Sequence, residues 1–329
     1  MTRTSAVAAL AIALLAPAAA CAQPASTGSA QAYPSRPLRM IVPSAPGGLP
    51  DIQARLVANE LGKQLGQQVV VDNRPGANFI VGFDLMAKAT PDGYTVGYAS
   101  FPISTNSSLF AKLPYNFERD FRPVIYQVFA VNILAVSPSL PIASVQELVS
   151  YARANPDKLS YGISGFGASN HLSIELIKMM TGVRIVPVSY KAIQQAISEA
   201  ISGQIHVVCD NMGSIMPHVK SGRMRGVAVT SPKRSPAMPE LPTVAESGLP
   251  GYEIMPWSGY VVPKKTPGDI VVRLNAEINK ALISPTVSER MAAIGSTPVG
   301  GTPEQFAEHV RKETAKWAQV IKSAGIKPQ

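Results

Sequence analysis

The sequence predicts an α/β protein of two lobes, each a doubly wound sheet flanked by helices. Three observations support this fold class: strands and helices alternate along the chain, the alternation occurs in two units, and each unit places a glycine loop between a strand and a helix. Alternating β-α-β order is typical of parallel sheets with helices on both faces. Such sheets bind ligands at the carboxyl ends of their strands, so the two glycine loops are the first candidates for a functional site.

The first unit has the order β-α-β-α-β, which predicts a largely parallel sheet. Its expected elements are a strand at 38–42 (LRMIV), a helix from about Asp51 to Leu65, a strand at 67–72 (QQVVVD), a turn at 73–77 (NRPGA), a helix from about Ile80 to Ala89 and a strand at 95–100 (TVGYAS).

The second unit repeats this pattern. Its expected elements are a helix at 144–155, a strand at 158–164, a glycine turn leading into a helix that stops at Gly182, a strand at 184–190, a helix at 192–203 and strands at 204–210 and 224–231. The chain then returns through 252–263, and two amphipathic helices complete it, the last opened by a capping box at Thr302–Gln305. We assign residues 33–131 and 254–329 to one lobe and 132–253 to the other, with the loops facing each other across a cleft.

Residues 1–22 are predicted to be a signal peptide and residues 23–32 a flexible leader. Arg3 precedes an apolar stretch, and Ala20-Cys21-Ala22 matches the A-x-A cleavage pattern, so we expect export to the periplasm. Lipid anchoring at Cys21 is the alternative, although Ala18 stands where acylation signals usually carry Leu.

The formal net charge is +9, but the basic residues are scattered and do not alternate with aromatic residues. This pattern argues against nucleic acid and favours a surface that does not repel small anions. No cofactor is expected, and His206, His218 and His309 lack metal-ligand spacing. Cys209 has no partner in the folded region, and we expect a monomer.

Both glycine loops lack cations: neither 43–51 nor 160–172 contains Lys or Arg. The first loop also lacks the Lys-Ser/Thr pair of a phosphate loop and the G-x-G-x-x-G of a dinucleotide loop. An anion held there would depend on backbone N–H groups, including those of Gly47 and Gly167, and on helix N-termini. This suits a carboxylate.

A series of motifs runs in order from Tyr33 to Ile326. They are YPSRPLRMIVPSAPGG with Asp51, NRPGA, TPDGYT, KLPY, YGISGFGASNHL, DNMGSIMPHVKSGRMRGVAVTS, LPTVAESGLPGYE, RLNAEINKAL and GGTPEQFAEHVRKETAKWAQVIKSAGI. With these motifs the chain resembles the Bug family of periplasmic solute receptors, the extracytoplasmic components of tripartite tricarboxylate transporters.

The resemblance implies a two-lobed periplasmic binding protein fold of the Venus-flytrap, type II-like kind, without catalysis. It implies that a ligand carboxylate is gripped between Ala45–Gly48 and Gly165–Ser169, largely by backbone amides and two bridging waters. Together with neighbours placed by their position at strand ends and helix starts, the candidate ligand-binding residues are Ala45, Pro46, Gly47, Gly48, Asp51, Phe79, Ser164, Gly165, Phe166, Gly167, Ala168, Ser169, His171, Tyr190 and Asp210.

Several of these residues have a structural alternative. Asp51 suits first-turn helix stabilisation as well as a ligand contact. His171 is expected to be a structural histidine or to orient its loop, and Asp210 either contacts the ligand or forms an Asx turn. Tyr190 is expected to line the cleft, and Phe79 lies either on the pocket wall or in the core.

Three departures from the family pattern bear on the ligand. Ala168 stands where the family usually has Thr or Ser, Phe79 where it has a small residue, and Ile193 where it has the last Gly of YKGG. These changes favour a carboxylate with an aromatic or longer apolar body over citrate or aspartate.

The resemblance also implies large and small integral-membrane components as partners for uptake. A sensory receptor that presents its closed form to a signalling partner is the alternative function. A hydrolase using Ser164 or Ser169 with His171 and Asp210 is a minor alternative, because G-x-S-x-G is absent from the loop.

Overall fold

A computed structural model describes residues 33–323, 325, 326 and 328. The predicted signal peptide, the leader and Cys21 lie outside the described residues. Within the described residues, no helix is both long and apolar enough to cross a membrane.

The alternation of strands and helices expected from the sequence is present along the described chain. In chain order the elements are β1 (Leu38–Val42), α1 (Leu49–Leu65), β2 (Val69–Asn73), α2 (Ile80–Ala87), β3 (Thr95–Ser100), α3 (Pro102–Leu109), α4 (Phe117–Asp120), β4 (Phe121–Ala130), β5 (Asn132–Val136), α5 (Val145–Ala154), β6 (Ser160–Ile163), α6 (Ser169–Thr181), β7 (Val186–Ser189), α7 (Ile193–Ile201), β8 (Val207–Asn211), α8 (Met212–Lys220), β9 (Arg225–Val229), β10 (Trp257–Pro263), α9 (Gly268–Ile283), α10 (Pro285–Ala293), β11 (Ser296–Gly300) and α11 (Pro303–Ser323).

The strands form two sheets, which confirms the predicted α/β class with helices flanking each sheet. The first sheet has the order β11-β4-β10-β3-β1-β2 and the second β7-β6-β8-β5-β9. Each contains three parallel strands, β1 with β2 and β3, and β6 with β7 and β8. The remaining pairs are antiparallel, so the sheets are mixed where a largely parallel one was expected. The strands β5 and β10 each follow a crossing between the sheets and run antiparallel to both neighbours, and β11 runs antiparallel to β4.

The chain crosses between the sheets at two adjacent points. At the first, the Ala130 N–H donates to the Pro256 carbonyl at 2.7 Å, and at the second the Ile254 N–H donates to the Thr230 carbonyl at 3.0 Å. β4 passes directly into β5 here, while the return segment leads into β10. Both crossings therefore lie at the edges where β1 and β6 end and where the glycine loops begin.

Buried apolar clusters hold the helices on the sheets. Phe101 and Trp317 pack edge to face with ring centroids 5.1 Å apart, which joins α11 to the end of β3. In the second sheet, Ala196 and Ile197 of α7 are buried in a cluster with Tyr190. These contacts fix α11 and α7 on their sheets, next to the elements that carry the candidate site.

The ends of the helices follow the sequence signals. The capping box is confirmed: the Thr302 N–H donates to Gln305 Oε1 at 2.8 Å, and the Gln305 N–H to Thr302 Oγ1 at 3.3 Å. α6 stops at Gly182, which has a left-handed φ of 70°. Two elements, α10 and β11, intervene between the two expected C-terminal helices. The elements α3, α4, β4, β5 and α8 were not predicted either.

Candidate functional site

The first glycine loop joins β1 to α1 and is held by a side chain of α1. Gly48 caps the helix in an extended conformation (φ −73°, ψ 163°), and Gly47 has a left-handed φ of 79°. The Gly47 N–H donates to Asp51 Oδ2 at 2.8 Å. The other oxygen, Oδ1, accepts from Arg55 Nε and Asn73 Nδ2, both at 2.9 Å. We call Asp51 the clamp of the first loop.

The electrostatics of this clamp keep it ionised. Burial raises the pKa of Asp51, but hydrogen bonds from Arg55, the Gly47 amide and Asn73 outweigh burial and hold the pKa below its ordinary value. Three donors already bond this carboxylate, and its side chain is only 5% exposed. Asp51 thus supports the loop from behind, and its contact with a ligand stays a prediction.

The second glycine loop joins β6 to α6 and repeats this arrangement with a different side chain. Ala168 caps α6 in the same extended conformation (φ −65°, ψ 159°), and Gly167 has a φ of 78°. The Gly167 N–H donates to His171 Nδ1 at 3.0 Å. His171, the clamp of the second loop, lies four residues after its glycine, as Asp51 does.

His171 is neutral and buried. Burial lowers its pKa to about 4, and Nδ1 accepts the Gly167 N–H, so the imidazole proton is on Nε2, 3.8 Å from Glu175 Oε1. Its ring stacks parallel to Tyr161 and meets Phe166 edge to face at 5.3 Å. These contacts orient the loop, and the His171 side chain is only 3% exposed.

Both loops leave backbone donors at the helix starts. The amides of Gly47 and Gly167 are taken by the clamps. The amides of Gly48 and Ala168 reach carbonyls of their own loops at 3.4 and 3.3 Å, near the limit for a hydrogen bond. For the next amides, those of Leu49 and Ser169, the described chain offers no acceptor. Two helix N-termini with uncommitted amides and no nearby lysine in either loop suit a carboxylate better than a phosphate.

The remaining predicted loop residues differ in exposure. The exposed ones are Ala45, Pro46, Ser164 and Phe166, the half-buried ones are Gly165 and Ser169, and the buried one, besides Gly167, is Ala168.

Asp210 lies at the carboxyl end of β8, beside the second loop. Its Oδ1 accepts from Asn170 Nδ2 at 3.3 Å, and the same amide donates to Ser164 Oγ at 2.8 Å. Its Oδ2 is buried and has no partner at hydrogen-bonding geometry among the described residues. Burial raises the pKa of Asp210 to about 6, and donors on Asn170, Ser214 and Asn211 offset this only in part. Asp210 is therefore a buried acid linked to the loop through Asn170.

Two predicted aromatic residues face the interior. The Tyr190 hydroxyl donates to Glu199 Oε2 at 2.5 Å, and burial and Glu199 raise the pKa of Tyr190 to about 12. Phe79 is half-buried and stacks on Phe83 with ring centroids 6.4 Å apart. Ile193 packs against the same cluster as Tyr190. These packings weaken the case that Phe79 and Ile193 form an apolar pocket wall.

The structure brings side chains to the second loop that the sequence analysis did not select. Asn78 Nδ2 donates to the Phe166 carbonyl at 2.6 Å, and Thr105 Oγ1 donates to the Gly167 carbonyl at 3.1 Å. Both donors belong to the part of the chain that builds the first sheet. The signal available in the sequence is Asn78, an asparagine in a turn, since asparagine tolerates positive φ.

The arrangement does not form a serine-hydrolase triad. His171 Nδ1 accepts a backbone amide, and the Asp210 carboxylate bonds to Asn170. A triad needs the acid on one imidazole nitrogen and the serine on the other. Nor do the described residues contain a cluster of three His, Cys, Asp or Glu side chains that is able to hold a metal ion.

Comparison with known proteins places this geometry in context. The family model described as "Tripartite tricarboxylate transporter family receptor" matches residues 53–326. The chain is 38% identical to Rpa4515 of R. palustris, solved with adipate, with a TM-score of 0.86 over 90% of this chain and 100% of that one. It is 33% identical to the periplasmic binding protein BugD, with a TM-score of 0.83 over 90% and 100% of the two chains. It is 29% identical to MatC of Rhodopseudomonas palustris with bound malate, with a TM-score of 0.82 over 88% and 100%.

Proposed function

Because the chain belongs to the tripartite tricarboxylate transporter receptor family, we propose that it captures a small organic dicarboxylate between its two glycine loops and delivers it to a membrane transporter. The family consists of solute-binding receptors, so the chain is a receptor and not an enzyme. The observation that carries the proposal is the pair of loops, each at a helix N-terminus, each without a cation and each with an uncommitted amide.

The chemistry of capture follows from these amides. A carboxylate has two oxygens and accepts charge-assisted hydrogen bonds from backbone N–H groups, which contribute about 1.5–3 kcal/mol each. The amides of Leu49 and Ser169 lie at the starts of α1 and α6, where the helix dipoles also favour an anion. In this proposal, one carboxylate accepts from both loops and so favours the form in which the loops are close.

For the ligand, we favour a linear dicarboxylate of the size of adipate. The relative solved with adipate is more similar in sequence to this chain than the relative solved with malate. The four methylene groups of adipate also agree in part with the apolar ligand body expected from Ala168, which is buried at the loop.

Two further parts of the proposal concern location and organisation. Members of the family are periplasmic binding proteins, and we propose that residues 1–22 direct this chain there, with large and small membrane components receiving the ligand. We also propose that residues 33–131 with 254–329 and residues 132–253 move as two lobes about the paired crossings.

A proline substitution tests the amide directly. Ser169 is the first helical residue of α6, a position that tolerates proline, and the extended conformation of Ala168 suits the residue before a proline. Ser169→Pro removes the N–H, whereas Ser169→Ala removes only the hydroxyl. We expect Ser169→Pro to weaken adipate binding by about 10- to 100-fold in calorimetry, and Ser169→Ala to change it little.

The outcomes separate the parts of the proposal. Unchanged affinity in a folded Ser169→Pro variant would exclude this amide from the site. A thermal-shift screen of adipate, malate, citrate and benzoate tests the ligand class, since a ligand at 100 times its dissociation constant adds about 2.7 kcal/mol to the free energy of unfolding. If benzoate alone stabilises the protein, the dicarboxylate proposal fails.

A further inference from the structure

The turn before α2 adopts a costly backbone conformation. Ala77, Asn78 and Phe79 have successive φ angles of 44°, 53° and 70°. Non-glycine residues rarely adopt positive φ, least of all a bulky aromatic one. Such a run persists only where surrounding contacts hold it, which directs attention to what this turn contacts.

The contacts of Asn78 run in two directions. Its Nδ2 donates to Asn106 Oδ1 on α3 at 2.8 Å and to the Phe166 carbonyl of the second loop at 2.6 Å. In return, the Asn106 side-chain amide donates to the Asn78 carbonyl at 3.1 Å and to the Tyr115 hydroxyl at 3.0 Å. Asn106 and Tyr115 are buried, so Asn78 is anchored on the first-sheet side and reaches across to the second loop.

A second residue of α3 makes a parallel contact. Thr105 is fully buried, and its Oγ1 donates to the Gly167 carbonyl at 3.1 Å, the shorter of two contacts, with the Pro102 carbonyl of its own helix at 3.3 Å. The loop glycines allow this close approach: a Cβ on Gly167 would lie 1.9 Å from Leu109 Cδ1, and one on Gly165 would lie 2.5 Å from Asn78 Oδ1. At both glycines of the G-x-G loop, a side chain would have to displace Leu109 or Asn78 from the first-sheet side, whether or not a ligand is bound.

We propose that Asn78 and Thr105 are positioning residues that hold the second loop against the first-sheet side and thereby raise the fraction of ligand-free protein in the closed form. This inference rests on the proposed function, in which the two lobes move relative to each other. Within the loop the two side chains bond only to carbonyls, so they leave the Ser169 amide free for a carboxylate. The closed site is then partly assembled before the ligand binds, and the ligand has less conformational change to drive.

Two near-isosteric variants remove the donors and keep the fold. Asn78→Asp retains a residue that tolerates positive φ but loses the N–H groups, and Thr105→Val retains a β-branched shape without the hydroxyl. Ser107→Val is the matched control, because Ser107 lies on the same helix and is exposed. Each lost hydrogen bond should lower the closed-to-open ratio by about fivefold.

The measurement is small-angle X-ray scattering of the ligand-free protein, with circular dichroism to verify folding. We expect the wild type and Ser107→Val to scatter largely as this structure does, in which Asn78 and Thr105 bond to the second loop, and Asn78→Asp and Thr105→Val to give a larger radius of gyration. Scattering from the wild type as an open form, or identical radii in all four folded proteins, would overturn the proposal.

Adipate at saturating concentration separates this inference from the proposed function. In the wild type it should leave the radius small, and in the two variants it should restore it. If adipate binds none of the proteins while the variants still differ from the wild type, the ligand assignment fails and the positioning role stands.

Discussion

The two glycine loops are built alike but are used differently. In both, a left-handed glycine precedes an extended cap residue, and a side chain four residues after the glycine accepts its N–H. The first clamp is the ionised Asp51, bonded also to Arg55 and Asn73, and the second is the neutral, buried His171. The surroundings differ as well, because the first loop is open around Gly47 and the second is packed around Gly167.

The two loops therefore differ in how much space lies beside their glycines. Around Gly47 nothing lies within 4 Å of a built Cβ, so the first loop has room beside it for a ligand. Around Gly167 the space is filled by Leu109 and Thr105 of α3. The same local geometry therefore leaves open space beside the first loop and joins two parts of the chain at the second.

The largest expected effect comes from adding one methyl group to each glycine. Gly47→Ala and Gly167→Ala both force a side chain into left-handed φ, at about 1–2 kcal/mol. Only Gly167→Ala also collides with Leu109, which should add about 1–3 kcal/mol. Urea unfolding should thus show a markedly lower free energy of unfolding for Gly167→Ala than for Gly47→Ala.

Leu109→Ala supplies the control for the collision. In a double-mutant cycle, Gly167→Ala should cost less in the Leu109→Ala background than in the wild type. Equal costs in both backgrounds would mean that the second loop does not depend on this contact, and the contrast between the loops would be lost.

A smaller effect is expected from the charge of the first clamp. Asp51→Asn keeps the shape of the side chain but replaces one carboxylate oxygen by an amide NH2 group, which faces N–H donors that it cannot accept from. We therefore expect the free energy of unfolding to fall by about 1.5–3 kcal/mol. Asp84→Asn is the matched control, because Asp84 also pairs with a cation four residues later, Lys88, but in a more exposed setting. Its expected cost is about 0–1 kcal/mol, and comparable losses in the two variants would contradict the role of Asp51 as a buried clamp.

Much of the fold follows from local signals. The alternation of apolar strands with helices predicted the parallel strands of both sheets but not β4, β5 or β11, and the capping box and Gly182 predicted two helix ends. The clamps were open to the same reasoning: Gly47 and Asp51 stand at the same spacing as Gly167 and His171, and that spacing spans one helical turn.

The contacts of the second loop were not accessible in this way. α3 has the sequence PISTNSSL, which lacks apolar periodicity and begins directly after a strand, so its helical state depends on packing. The bonds from Asn78 to Phe166 and from Thr105 to Gly167 join residues far apart in sequence. Their existence depends on how the two sheets are brought together, which no local pattern records.

The smallest net effect concerns acid, because two groups at and beside the second loop change stability in opposite directions. His171 has a folded pKa of about 4, below its ordinary 6.5, so the unfolded chain takes up the proton first and stability falls as the pH falls from about 6.5 to 4. Asp210 has a folded pKa of about 6, above its ordinary 3.8, so the folded chain takes up the proton first and stability rises as the pH falls from about 6 to 4. The two contributions oppose each other, each by at most about 1.4 kcal/mol per pH unit.

His171→Asn keeps an acceptor for the Gly167 N–H without titrating, so it should reduce the loss of stability in acid. Asp210→Asn removes the opposing contribution, so it should increase that loss. Urea unfolding at several pH values between 4 and 7.5 measures these slopes, and parallel profiles for the wild type and both variants would show that neither group is held in the protonation state assigned to it.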